Sequence, residues 1–297
     1  MNTHLLKRLV WMTGGLLLLL SSCKKFTENL PGNVQDNALN FYTVSDVLSV
    51  AYGSPSASSS VTAVFVDSLR PNAFDHFSAS YAIFPVFNYN TYQTWGAQYP
   101  FPFGSYPFLI YAYYNQLPAG HRLFFTDTSA AVVLKDTTIQ PAGSSYTCIY
   151  FADAPVTTQN QPVQFNVFAY NEDRSVVPSG KIGVRFINLS PDAGALTCNL
   201  LTGSGGTQDM LNSASLSYGQ ASDYRYLDSS VITDQGAVAF NLYNSTTGTG
   251  LKTGVLFSAG RRYVILVAGA LNDRQVQFGT KTLKVSNNLR VIVRDSY

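Results

Sequence analysis

Few residues in this chain are of the types that carry out acid–base or nucleophilic chemistry. Beyond position 22 only His76 and His121 remain as histidines. His121 follows Ala119-Gly120 at the start of an alternating run, which is the place of a turn-edge histidine. His76 and Asp75 are of metal-ligand or base type, but a zinc site takes three or four protein ligands and two neighbours supply too few. Serines are abundant, yet none sits in a Gly-x-Ser-x-Gly elbow. Gly203-Ser204-Gly205-Gly206 lacks the following Lys-Ser/Thr of a phosphate cradle and reads as a loop. Ser190-Pro191-Asp192-Ala193 offers Asp192 as a ligand or acid. The stronger reading is a turn after a strand, with proline fixing φ and the aspartate capping its own turn. No catalytic residue, metal or cofactor is expected, so the chain reads as a non-enzyme.

One residue has a clear chemical assignment, the thiol of Cys23. Lys7 and Arg8 precede an apolar run, Leu9 to Leu20. Twelve residues at about 1.5 Å each span roughly 18 Å, short of the roughly 30 Å of a hydrocarbon core. The run therefore reads as the apolar region of a signal peptide rather than a membrane span. Leu20-Ser21-Ser22-Cys23 then resembles the bacterial lipobox. Small residues there admit the peptidase, and the thiol accepts a diacylglyceryl group. Cleavage before Cys23 would leave a multiply acylated N-terminus, which anchors stably where one chain does not. Lys24 and Lys25 follow rather than aspartate, which by resemblance to the usual sorting rule implies the outer membrane.

Removal of residues 1–22 takes Lys7 and Arg8 from the 19 Lys+Arg and leaves the 17 Asp+Glu intact, so the mature chain balances at 17 against 17. No basic stripe remains, and a nucleic-acid partner has no support. Charged residues make up only 12% of the chain, about half the usual share. Tyr, Phe, Ser, Thr, Asn and Gly fill the space, a vocabulary of strands and turns. Cys148 and Cys198 lie in apolar strand-like runs, and the spacing alone leaves open whether they pair.

The elements that must position these residues are short alternating runs. Among them are Val61–Val66, His121–Phe125, Tyr146–Phe151, Val163–Tyr170, Ile182–Ile187, Ala237–Tyr243, Tyr263–Val267 and Leu289–Val293, bounded by turn clusters. No window carries a sustained helical apolar stripe. The fold class is all-β, and the spacing predicts β-sandwiches. The expected organisation is a signal peptide over 1–22, a polar tether over 23–37, a first sandwich over 38–170, a linker over 171–180 and a second sandwich over 181–297. A repeat supports two copies. Phe103-Gly104 answers Tyr218-Gly219, Tyr111 answers Tyr226, and Gly143 and Tyr146 answer Gly260 and Tyr263. At the start, Asn40–Asp46 aligns with Arg185–Asp192, or else Val64–Ala73 aligns with Val184–Ala193. The first alignment gives consecutive strands and implies an insertion at about 74–103.

Val184–Ala193, then Leu216-Ser217-Tyr218-Gly219 with Ser222 and Tyr224, then Ser258-Ala259-Gly260 with Tyr263, resemble three ordered markers of the bacterial domain of unknown function 4397. The resemblance is clearest over residues 182–270, with a diverged copy at about 38–155. It implies tandem Ig-like sandwiches on secreted or lipid-anchored proteins and transfers no catalytic residue. Gly194 departs from the family's usual second proline.

Residues 77–114 hold fifteen aromatics, four prolines and no charged side chain. Prolines at this density break strands, so much of the segment is expected to be loop. Tyr89, Tyr92, Trp95, Tyr99 and Phe101 are the candidate binding face, because aromatic loop side chains give contact area at low entropic cost. The competing reading folds the segment over the first domain as packing. Taken together, the residues predict a lipid-anchored cell-envelope protein with a non-catalytic binding, adhesion or structural role. The ligand is a glycan or a protein, with the membrane held through Cys23. The alternatives are a glycan-binding accessory lipoprotein of a polysaccharide-uptake system and a hydrolase with an unrecognised site.

Overall fold

The computed structural model describes residues 38–52, 62–66, 83–85, 87–88, 112–113, 121–127, 132–140, 146–172, 175–201, 206–231, 237–244, 247–248 and 250–296. The chain is all-β, with one seven-residue α-helix among the described residues. Every run singled out from the sequence contributes to a strand.

The first half forms two sheets. One is built from β1 (Ala38–Thr43), β4 (Phe87–Asn88), β8 (Tyr146–Asp153) and β10 (Phe165–Glu172), in the order β10-β8-β1-β4. A short strand, β5 (Ala112–Tyr113), also pairs with β1. The other runs β3 (Ile83–Pro85), β2 (Thr62–Val66), β6 (His121–Asp127) and β7 (Val133–Ile139). The segment at 74–103 thus contributes β3 to one sheet and β4 to the other. Helix α1 (Asp46–Tyr52) follows β1.

The second half repeats this pairing order. β11 (Lys181–Asn188) pairs in parallel with β18 (Arg262–Ala268), as β1 does with β8. β18 pairs antiparallel with β21 (Arg290–Ser296), as β8 does with β10. The two-residue β14 (Gln220–Ala221) and the four-residue β15 (Arg225–Asp228) both pair antiparallel with β11 along its edge away from β18. The facing sheet contains β13 (Thr207–Asp209), β12 (Thr197–Leu201), β16 (Ala237–Tyr243) and β17 (Gly250–Leu256).

The register fixes which residues correspond. Val44 N–H donates to Phe151 O as Leu189 N–H donates to Val267 O. Ser45 N–H is taken by Thr43 Oγ1 as Ser190 N–H is taken by Asn188 Oδ1. Thr43-Val44-Ser45 therefore stands where Asn188-Leu189-Ser190 does, as in the first of the two alignments. The pairing of Tyr146 with Tyr263 is corrected by one residue: Phe151 answers Val267, so Tyr146 stands where Arg262 does. One residue matters in a strand because it exchanges the two faces. Gly143, Gly104 and Phe103 lie outside the described residues.

Four sheets stack through three cores. Ile149 and Phe151 of β8 face Val64, Leu123 and Phe125 of the first half's second sheet. Tyr263, Ile265 and Val267 of β18 face Cys198, Leu200, Val238 and Phe240. The alternate residues turn the other way. Cys148, Tyr150 and Ala152 meet Val264, Leu266, Ala268 and Ile187 in a core between the halves. Side chains alternate along a strand, so β8 and β18 are buried on both faces, which explains their near-continuous apolar sequences.

A hairpin, β19 (Arg274–Phe278) and β20 (Lys281–Val285), comes from the second half. It pairs with β9 (Gln161–Pro162) of the first and buries Val276 and Val285 in the first half's core. The parallel pairs β1/β8 and β11/β18 also share one direction. Their starting ends meet around Ser175, which accepts from Arg262, and around Glu172, which binds Arg294. Their finishing ends meet where Asp46 binds Arg290 and Asp153 binds Arg274. β1 therefore enters at one end of the molecule, while α1 and the hairpin close the other.

Candidate functional site

The polar residues the fold gathers most closely lie on the seam between the halves. Three ion pairs cross it, two buried and the one at Arg290 part-buried, each with its acid from the first half and its arginine from the second. Arg290 Nη1 lies 3.0 Å from Asp46 Oδ1, and Arg274 Nη2 lies 2.5 Å from Asp153 Oδ2. Arg294 Nη2 donates to Glu172 Oε1, both side chains at most 1% exposed.

Asp153 ends β8 at the N-terminus of α1. Its carboxylate accepts from the Ser45 hydroxyl, from the backbone N–H groups of Asp46 and Val47, and from Arg274. Ser45 is the N-cap, since Leu48 N–H donates to its Oγ. The seven residues of α1 are too few to show an apolar stripe in the sequence. A cap, a carboxylate from β8 and inward Val47 and Leu48 hold it instead. Burial pushes the Asp153 carboxyl up, while Arg274 and Ser45 pull it back.

Arg294 Nε donates to the Tyr150 hydroxyl at 3.1 Å, and the guanidinium lies 5.5 Å from the Tyr42 ring centre. Burial works against its charge, yet Cys148, Tyr150 and Glu172 hold it well above the ordinary arginine value. Burial also pushes the Tyr150 hydroxyl up, against the pull of Arg294. Tyr224 donates its hydroxyl to Glu172. This cluster is shut from solvent and carries charge for packing, with its acids and bases already matched to each other.

The marker residues are spent on backbone. Asn188 Nδ2 donates to Gly194 O and Leu216 O, and Ser190 Oγ donates to Gly269 O while accepting Ala193 N–H. Asp192 corrects the expectation that it caps its own turn. Its carboxylate accepts Leu271 N–H at 2.6 Å and Asn272 N–H at 3.0 Å, clamping a loop seventy-nine residues away. Gly219, at φ +75°, packs where a Cβ would sit 2.6 Å from Phe168 Cζ. Ser222 Oγ accepts Phe186 N–H, and Tyr263 Oη accepts Ser258 N–H.

Cys23, His76, Tyr89, Tyr92, Trp95, Tyr99 and Phe101 lie outside the described residues. His121 begins β6 and pairs with Ile139. Cys148 and Cys198 are buried thiols in different cores and form no disulfide. Among the described residues no group of three His, Cys, Asp or Glu is placed to hold a metal, and no helix is long and apolar enough to cross a membrane. No protein-family model matches the chain, and no curated protein matches it.

Proposed function

We propose that this chain is an exported protein, cleaved before Cys23 and lipidated there, held in the cell envelope, most simply at the outer membrane, with a non-catalytic binding, adhesion or structural role. The observation that carries the reading is Leu20-Ser21-Ser22-Cys23 after the apolar run from Leu9. Its body is a tandem of two Ig-like β-sandwiches of the kind that the resemblance to the domain of unknown function 4397 implies. The repeated pairing order supports the duplication, and the seam of matched acid–arginine pairs supports a rigid module over a catalyst. The aromatic face at Tyr89, Tyr92, Trp95, Tyr99 and Phe101 is part of the proposed binding role.

Expression of the full chain in a bacterium that processes lipoproteins tests the anchor. The product should enter the detergent phase of a Triton X-114 partition, and its N-terminal peptide should carry acyl mass on Cys23. Cys23→Ala should move it to the aqueous phase. A wild-type product that stays aqueous and begins at residue 1 overturns the reading. Turnover on a panel of hydrolase substrates would overturn the non-catalytic part.

A further inference from the structure

The end of the molecule away from β1's entry carries an open cleft of about 360 Å³ lined by Gln159, Asp273, Arg274, Gln275 and Lys284. That size lies within the range of ligand sites. Gln159 comes from the first half and the other four from the second. The loop and hairpin are tied together: Gln275 N–H donates to Gln159 Oε1 at 2.9 Å, and Asn160 N–H donates to Gln275 O at 3.0 Å. Gln275 and Lys284 face each other across the β19–β20 ladder. Side chains on paired strands hold their places better than side chains on loops.

The chemistry of the lining selects the ligand. Every lining side chain ends in a polar group on a methylene stem, and the stems supply at least as much of the lining as the tips, so the cleft sets apolar and polar contact side by side, as the C–H face and the hydroxyls of a sugar ring require. The charges are matched, Arg274 by Asp153 and Lys284 by Asp273 at 3.4 Å, so an anion finds no surplus of positive charge. What remains is a close set of donors and acceptors. Gln159 keeps its NH₂ after its oxygen is used. Gln275 presents a whole carboxamide. Asp273 accepts Asn287 N–H on Oδ1 and has lone pairs beyond it. A hydroxyl both donates and accepts, so neighbouring hydroxyls suit a carboxylate set beside amide and ammonium groups.

We propose that this cleft binds a neutral, polyhydroxylated ligand, a saccharide chain. The proposal rests on the lipid-anchored binding role above and gives that role a ligand class. An anchor at Cys23 joins the fold at the start of β1, and the cleft is at the opposite end, where a ligand outside the bilayer reaches it.

The test uses the full mature lipoprotein in detergent micelles with four neutral probes: maltohexaose, xylohexaose, laminarihexaose and mannohexaose. Saturation-transfer NMR should show contact with at least one, and calorimetry should give its affinity. Gln275→Ala and Lys284→Ala, both on the hairpin's exposed positions, should each weaken that binding about tenfold or more with the melting temperature held. Trigalacturonate, the acidic comparison, should bind more weakly than the best neutral probe. No transfer to any neutral probe, tighter binding of the acidic one, or unchanged binding in both variants overturns the site. Flotation of the same preparation with liposomes is scored separately. Protein that floats but ignores the saccharides leaves the anchor standing and removes the cleft, and protein that binds them without floating does the reverse.

Discussion

Arg294 is fully buried beneath two sheets, with its charge matched by Glu172 and its Nε on Tyr150. Taking both charges out of water is costly, and their attraction offsets that cost only while both are present. The pair therefore need not add net stability, but breaking it should be severe. Arg294→Met leaves Glu172 in the core without its guanidinium and should cost about 3–5 kcal/mol in urea unfolding. Glu172→Leu combined with Arg294→Met removes both charges and should cost less than the two single changes summed. A double-mutant cycle with additive costs would show that the two residues do not act as a pair. The same logic extends to Asp153 and Arg274, where the carboxylate also closes the start of α1.

At the scale of elements, the turn Ser217–Gln220 carries a contact between the halves. Gly219 N–H donates to Asn188 O, and Tyr170 Oη donates to Gly219 O at 2.9 Å. A methyl group there meets both the left-handed backbone and the Phe168 ring. Gly219→Ala should destabilise by about 2–5 kcal/mol, combining a left-handed penalty of about 1–2 with overpacking of about 1–3. Gly260→Ala is the comparison, since Gly260 has φ +80° with nothing within 4 Å and should lose only the backbone part. Adding Phe168→Ala should lessen the damage at Gly219. Equal losses at the two glycines would show that the ring contact carries no weight.

These contacts mark what the sequence could reveal. Alternation named β2, β6, β8, β10, β11, β16, β18 and β21 because a half-buried or fully buried strand must repeat every second residue. Alternation does not say which core a face fills. Arg274, Val276 and Phe278 alternate with glutamines on β19, yet nothing local says they turn into the other half. Lone arginines in apolar strands carry no local mark of burial, because their acids lie more than a hundred residues away, as Asp153 does from Arg274. Ser190-Pro191-Asp192-Ala193 marks Asp192 as structural, but a local turn argument does not reach its loop at Leu271. Tyr146 and Tyr263 match in sequence one position out of register, because a tyrosine recurs near both strand starts and only pairing fixes register.

On the scale of the whole molecule, the shared direction of β1, β8, β11 and β18 gives the protein two distinct ends. Strands of six to eight residues at about 3.3 Å each separate those ends by about 20–26 Å. If Cys23 carries lipid, fifteen residues lead from it to Ala38. Fully extended, such a stretch reaches at most about 50 Å, which bounds how far the start of β1 can stand from the bilayer. Ser179 is exposed beside Lys181 at the entry end, and Ser286 is exposed after β20 at the other. Because Cys148 and Cys198 are buried, a thiol introduced at either serine should label selectively. With the lipoprotein in liposomes that carry a headgroup acceptor, a donor on Ser179→Cys should transfer more energy than one on Ser286→Cys. Equal or reversed transfer in protein that floats would mean that the body lies flat or inverted, and the cleft at Gln275 would then face the lipid rather than the space beyond it.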